Sequence, residues 1–456
     1  MPLSSTPYGY LFENWAKTER TLLTEASWPA REREVVATVR RVRTAGRRLK
    51  VVGGAHSWSD AALPSYHGMS LDRLAGPVSI DRHSGEVTVW AGTRLYALNT
   101  LLAEHGLAMP VLGSVDQQSV AGAISTGTHG SAPRLGNLAS LVTRLRMVLP
   151  DGEVVQVDGD RTPELFQAAR VGLGALGVIT QVTFRCVPAF HLEEESYPLS
   201  FDEALRALPE LLDREEFVKL WWLPYTDQVQ VFCYRRTQQD STFRPIRRWL
   251  DERVLNGVVF SAVLRVGEAK PEWIPALNRA VGSIYFRPSR QVARSDQSFH
   301  IAMPPIHDET EAAIPVEQTG TALRWLREFL EGQGLAVNFV VEVRFGAGDD
   351  AWLSPAYGRA TCFLGAYIAA SRDRDRFFQG FEERMLSLGG RPHWGKFFRV
   401  QGSGIRRLYP RFDDFAALRA SLDPEGLLLN PFLERIFLED GRSTTIPGGR
   451  ATLTRP

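Results

Sequence analysis

Four stretches of the 456-residue chain hold residues whose types and spacing could do chemistry. VVGGAHSWSD, residues 51–60, sets His56 directly after small residues that close an apolar strand. GSVDQQSVAGAISTGTHGS, residues 113–131, is rich in Gly, Ser, Thr and Ala and has no bulky apolar period, so it is a surface loop or a backbone cradle. Both stretches offer backbone N–H groups unobstructed by large side chains, which suits a pyrophosphate where no lysine or metal meets its charge. Two cradles suggest one long, doubly phosphorylated cofactor; the alternative is two tight turns. In VVEVRF, strand alternation sends Glu342 and Arg344 to one face and Val341 and Val343 to the other. Such a pair is a solvated salt bridge or a charged couple facing a ligand. RPHWGK adds His393, Trp394 and Lys396.

Other chemistries are argued against. GLGALG, Gly172–Gly177, matches the glycine spacing of a dinucleotide fingerprint, but a helix-like segment precedes it and a strand follows, the reverse of the required order. The nine histidines form no HExxH pair or cluster along the chain, and no G-x-S-x-G appears, so neither a zinc nor a serine hydrolase is expected, and no metal site. Cys186, Cys233 and Cys362 lie far apart and read as small buried hydrophobes. With 53 basic and 52 acidic side chains there is no basic field for nucleic acid. The N-terminus lacks a basic-then-apolar leader, and the longest apolar patches, such as VLNGVVFSAVL, fall short of the ~20 residues of a membrane span. A cytoplasmic protein is expected. A tryptophan-rich carbohydrate-binding protein is the non-enzyme alternative.

The elements that must position these residues follow from periodicity. REREVVATVRRVRTAGRRLK reads as a helix running into the strand LKVV, and TRLYALNTLLAEHG as a second helix, with His105 capping its end. SLVTRLRMVLPDGEVVQVD reads as a hairpin turning at PDG. PELFQAARV, a glycine turn and VITQVTF read as helix, turn and strand. After Pro188 the texture shifts to Trp, Phe and Arg, which places a domain boundary there. The fold class is α+β rather than a regular βαβ array.

VVGGAHSWSD, LGSVDQQSVAGAISTGTHGS, LGALGVITQVTF, VEVRF, LSPAYGR, RPHWGK and LDPEGLLLN occur in an order that resembles the aldonolactone oxidoreductases of the vanillyl-alcohol-oxidase flavoprotein superfamily. That group holds L-gulono-1,4-lactone oxidases and dehydrogenases and D-arabinono-1,4-lactone oxidases, with alditol oxidases as cousins. The resemblance runs from Glu13 to Leu438. It implies a PCMH-type, two-subdomain FAD-binding domain over 13–188 and a cap over 189–400 with a mixed or antiparallel sheet flanked by helices. A segment over 401–440 would return to the FAD domain, and 441–456 would be a tail.

The resemblance also implies FAD bonded through a ring nitrogen of His56 to the flavin 8α-methyl, singly, because the cysteine that serves other members as a second tether is absent. Val52, Gly53, Gly54, Ala55 and Ser57 would flank that attachment, with Ala55 in place of a third glycine. Gly113, Ser114, Ser119, Gly122, Ser125, Gly127, Thr128 and His129 would line flavin and pyrophosphate, His129 being alternatively a turn residue. Gly177, Val178 and Ile179 would approach the adenosine half, and His393 and Trp394 would pack at the flavin. Glu342, Arg344 and Lys396 would be catalytic: the cations stabilise charge developing on the flavin, and Glu342 accepts the substrate hydroxyl and assists its deprotonation. The implied substrate is an aldono-1,4-lactone oxidised at C2, or alternatively a polyol. Gly365 stands where alditol oxidases carry an extra histidine, which favours the lactone. Gly113, lacking a Cβ, leaves a gap for dioxygen, so hydrogen peroxide is the expected product; a turn glycine, and a dehydrogenase using a cytochrome or quinone, are the alternatives.

Overall fold

A computed structural model describes residues 2–244, 260–300, 305–369 and 371–438. The expected tail, and residues 254–259 of the apolar patch VLNGVVFSAVL, lie outside them. Near the N-terminus, Glu32–Thr44 forms a helix because Val35, Val39 and Val42 recur on one buried face, with Glu32 and Glu34 in the first turn and Arg41 and Arg43 in the last, matching the helix dipole. It leads into Leu49–Val52, which lies in a parallel three-stranded sheet beside His67–Ser70 and, beyond that, Glu25–Ser27. His56 therefore hangs just past the end of a strand embedded in a core.

A five-stranded antiparallel sheet follows, ordered Val154–Asp158, Val142–Val148, Val178–Arg185, Glu86–Trp90, Pro77–Asp81. The PDG hairpin is its first pair. Helix Pro163–Arg170 precedes the GLGALG glycines and strand Val178–Arg185 follows them, the order that argues against a dinucleotide fingerprint. His105 ends helix Leu95–Glu104.

From His191 onward the strands join one eight-stranded sheet, and every pairing in it is antiparallel. Its order is Ser289–Arg294, His191–Ser200, Gln228–Thr237, Phe217–Trp222, Val341–Gly346, Thr361–Ile368, Asp308–Pro315, Arg391–Pro392. One face is apolar: Leu220, Val341, Val343, Phe345 and Leu364 are buried together with Leu208 of helix Phe201–Arg214, Leu326 of Thr319–Gln333 and Phe381 of Arg374–Ser387. Helices cover that face, so alternation turns Glu342 and Arg344 the other way.

Two seams join this sheet to the rest. The Gly/Ser segment reaches the Glu342 strand where Ala132 N–H donates to O of Phe345 (2.8 Å) and Phe345 N–H donates to Oγ of Ser131 (3.1 Å). The HWGK segment reaches the His56 loop where Trp58 N–H donates to O of Gly395 (2.7 Å) and Ser59 Oγ to O of Trp394 (2.6 Å). Beyond Val400, Ile405, Phe415, Leu433 and Ile436 pack into the core that holds Val39 and Val182. Among the described residues no helix is long and apolar enough to cross a membrane.

Candidate active site

Two connected cavities lie between the seams. The larger, about 240 Å³, is walled by His56, Ser57, Gly113, Ser114, Thr128, His129, Glu342, Arg344, His393 and Lys396. The smaller, about 110 Å³, is walled by Val52, Gly53, Gly54, Ala55, Ser119, Gly122, Ser125, Gly177, Val178 and Ile179. His56, Ser57, Gln118 and Thr126 line both and mark the junction. Of the residues expected at the flavin or in catalysis, Gly127 and Trp394 line neither cavity: Gly127, at φ +73°, makes the turn that follows helix Val120–Ser125, and Trp394 is fully buried with its ring stacked on Tyr409.

That helix is a feature the sequence did not reveal, set inside a stretch without an apolar period. Ser119 caps it by accepting from Gly122 N–H. The loop glycines are there for close approach. A Cβ on Gly53 would lie 2.5 Å from Ser119 Oγ, and one on Gly54 would lie 2.8 Å from O of Gln117. Ala55 takes a left-handed φ of +52°, strained for a residue with a Cβ.

His56 is half-buried and its Nδ1, sealed from solvent, has no hydrogen-bond partner. Burial, with Arg94 and Lys396 nearby, pushes its pKa down to about 4, so the ring is neutral and carries a lone pair. Lys50 also lines the smaller cavity, with Nζ donating to O of Leu173 (3.0 Å), and burial pushes its pKa down to about 7. A lysine is thus present at the cradle after all. It lay in an apolar strand, LKVV, where nothing marked it as cofactor-facing.

Across the larger cavity, Glu342 is fixed by three donors. Trp221 Nε1–H reaches Oε1 (2.9 Å), Tyr367 O–H reaches Oε2 (2.8 Å), and Arg344 pairs with Oε2. Burial acts to raise the Glu342 pKa, but Arg344, Lys219 and these hydrogen bonds outweigh it and hold the pKa down at about 2. Arg344 also donates to Ser114 Oγ (3.0 Å), which ties the pair to the Gly/Ser segment. The pair is a buried couple on the cavity wall and not a solvated surface bridge.

Gly365 lies directly across the sheet from Glu342, and a Cβ there would lie 3.2 Å from the Tyr367 hydroxyl oxygen. The glycine leaves room for the tyrosine to reach Glu342.

The strand Asp308–Pro315 adds a set of groups that sequence reasoning missed. His307, Glu309 and Glu311 alternate, so all three face the cavity and line it. Lys396 pairs with Oε2 of Glu309 and sits 4.1 Å over the Trp58 ring. Glu311 accepts from His129 Nε2 (2.8 Å), and the His129 ring stacks on Phe363 at 3.5 Å. Despite burial, His129 and His393 hold the Glu311 carboxyl well below the usual range. Burial pushes the His393 pKa down to about 3, and its Nδ1 accepts from Gly395 N–H.

The fold therefore builds a buried cluster, His129, Glu311 and His393, that the histidine spacing along the chain did not show. Both ring nitrogens of His129 are already engaged, with O of Gly130 (2.9 Å) and with Glu311. The reading of the histidines as unclustered is corrected to this buried cluster, in which His129 is hydrogen-bonded to Glu311 and its ring meets that of His393 edge-on.

Comparison with known proteins agrees with the geometry. Residues 182–436 match the family described as D-arabinono-1,4-lactone oxidase, and residues 26–158 match the FAD binding domain. An L-gulonolactone oxidase of Scyliorhinus torazame is 32% identical over 94% of this chain and 98% of its own length. An L-gulono-1,4-lactone dehydrogenase of Mycobacterium tuberculosis is 33% identical over 93% and 99%. The cholesterol oxidase of B. sterolicum superposes with a TM-score of 0.81 over 96% of this chain and 100% of its own, at 17% identity, which speaks to the fold alone.

Proposed function

Since the chain belongs to the D-arabinono-1,4-lactone oxidase family, we propose that it oxidises an aldono-1,4-lactone at the C2 carbinol and passes the electrons to dioxygen, yielding hydrogen peroxide. It is an FAD-dependent oxidoreductase acting on CH–OH groups. In this reading FAD is held by the part over 13–188, with 189–400 as the cap and 401–440 returning to the flavin side.

The residues present fit FAD. The smaller cavity is walled by the small residues Gly53, Gly54, Ala55, Gly122 and Gly177, which leave its backbone open to a ligand, and Lys50 gives it a cation source. At the junction, the orphaned Nδ1 of His56 suits covalent attachment, because a neutral imidazole is the nucleophilic form. Bound FAD supplies the hydride acceptor.

The observation that carries the proposal is the Glu342–Arg344 pair with Lys396 facing the same cavity as His56. Arg344 and Lys396 are mostly buried cations on the cavity wall, and they stabilise negative charge that grows as the carbinol is oxidised. Glu342, with its carboxylate held by Trp221, Tyr367 and Arg344, orients substrate hydroxyls by accepting from them at Oε1. Tyr367 occupies the space over Gly365, which supports a compact lactone over an extended polyol.

The test is a steady-state panel of L-gulono-, L-galactono- and D-arabinono-1,4-lactone with xylitol, read by peroxide release. Lactone turnover with peroxide is expected. Preference for xylitol, or lactone turnover only with an added dye, would overturn the corresponding part of the proposal.

A further inference from the structure

Glu342 is poorly placed to receive a proton. Both of its oxygens already accept hydrogen bonds, and neutralising it would strand the Arg344 guanidinium. Another carboxylate on the same cavity wall is differently placed. Glu309 is 1% exposed, and Lys396 pairs with its Oε2, but its Oε1 has no partner.

Beside it, His307 uses Nδ1–H on O of Pro305 (2.8 Å), which leaves Nε2 as an acceptor 3.9 Å from Glu309 Oε2 and also without a hydrogen-bond partner. Two neighbouring cavity-lining residues therefore each hold a buried acceptor that has no donor among the described residues. Leaving such atoms unpaired is costly, and a ligand that brings O–H groups relieves it. A lactone carrying several hydroxyls is such a ligand.

Resting on the lactone reading above, we propose that Glu309 is a catalytic residue, the base that takes the proton of the substrate's reacting hydroxyl at Oε1. In the step, the carbinol C–H bond breaks and its electron pair leaves as hydride to the bound flavin. The O–H bond breaks, its proton passes to Glu309, and the C–O bond becomes C=O. The alcohol is oxidised and the flavin reduced by the same electron pair.

The charged and titratable groups around Glu309 suit the role. Lys396 approaches from the HWGK segment, Arg344 from Val341–Gly346, Tyr367 from Thr361–Ile368, Glu311 from its own strand and His307 from just before it. Burial, with Glu311 adding, pushes the Glu309 acid up to about 7 against Lys396 and Arg344. The group can both take and release a proton near neutrality.

The experiment is anaerobic rapid mixing of the flavin-loaded protein with the lactone panel across pH, read as flavin bleaching. In the native protein the rate rises with pH and levels off above about 7, because only the ionised acid serves as base. Glu309→Gln slows bleaching by about 10²–10⁴-fold and removes that limb, and Glu309→Asp restores a limb. Infrared spectra of the same samples give a second readout: a protonated-carboxyl band that titrates in the native protein and is missing from Glu309→Gln. If Glu309→Gln does not accumulate folded and yellow, the native profile decides, a rising limb supporting the assignment and a flat one overturning it. A Glu309→Gln flavin that bleaches as fast as the native one overturns this assignment alone. A native flavin that no lactone bleaches overturns the lactone reading and this step with it.

Discussion

Removing Arg344 tests both the electrostatics and the chemistry of the site. The Glu342 pKa falls from the ordinary 4.5 to about 2, which corresponds to about 3 kcal/mol of favourable interaction for the buried carboxylate. Arg344 contributes the largest attractive part, with Lys219 and the Trp221 hydrogen bond supplying the rest. Arg344→Ala should therefore destabilise the protein by about 2–3 kcal/mol near neutral pH, because it strands a charge that burial penalises.

The pH dependence has a definite sign. A carboxylate whose folded pKa is depressed gives stability that is present above its unfolded value and is lost as pH falls from 4.5 toward 2. In Arg344→Ala that contribution shrinks, so the stability gap to the native protein is widest near neutrality and closes in acid. Glu342→Gln/Arg344→Ala should recover part of the loss, since a neutral amide leaves no stranded charge. Urea unfolding at several pH values measures this. In parallel, flavin bleaching should slow by two to three orders of magnitude, about 3 kcal/mol for one lost preorganised donor, and Arg344→Lys should not fully restore it. Equal stability of native and Arg344→Ala proteins at neutral pH, or an unchanged bleaching rate, would refute the reasoning.

Ala55→Gly should raise stability by about 0.5 kcal/mol, the relief of a left-handed φ less the entropy glycine adds to the unfolded chain; a lowered thermal midpoint would contradict it. In a His56→Ala background, where FAD binds without a bond, Lys50→Met should weaken binding by about ten- to hundredfold through loss of a charged donor, measured by flavin fluorescence titration. Gly113→Ala puts a Cβ 3.1 Å from O of His129 and 3.2 Å from Thr128 Cγ2, two residues that line the larger cavity with it. Reoxidation of the reduced protein by dioxygen should slow while bleaching by lactone holds, and an unchanged oxygen rate would remove Gly113 from the account. Acid precipitation of the native protein should leave the flavin on the polypeptide, and the same treatment of His56→Ala should release it.

The parts of the site legible in the sequence were those whose signal is local. Strand alternation alone put Glu342 and Arg344 on one face, and the small residues around His56 announced a close backbone approach that the Gly53–Ser119 contact explains. The His307, Glu309 and Glu311 face has the same alternation, but its meaning depends on partners far along the chain. Asp308–Pro315 pairs with Thr361–Ile368 and Arg391–Pro392, and only that sheet order carries Glu309 to Lys396 and Glu311 to His129. Trp221 reaches Glu342 for the same reason, through the pairing of Phe217–Trp222 with Val341–Gly346. Lys50 stayed hidden because a buried lysine in an apolar strand looks locally like a snorkelling side chain. Gly127 was overread: its positive φ shapes a turn, and it lines neither cavity.

The central claim is that this cavity oxidises an aldonolactone with bound FAD, and anaerobic titration of the purified yellow protein with L-gulono-, L-galactono- and D-arabinono-1,4-lactone tests it most directly. The account predicts that at least one of them bleaches the flavin fully, in one-to-one proportion, and that air restores the colour with release of hydrogen peroxide. A protein that carries no flavin, or a flavin that stays oxidised through all the lactones, would contradict it.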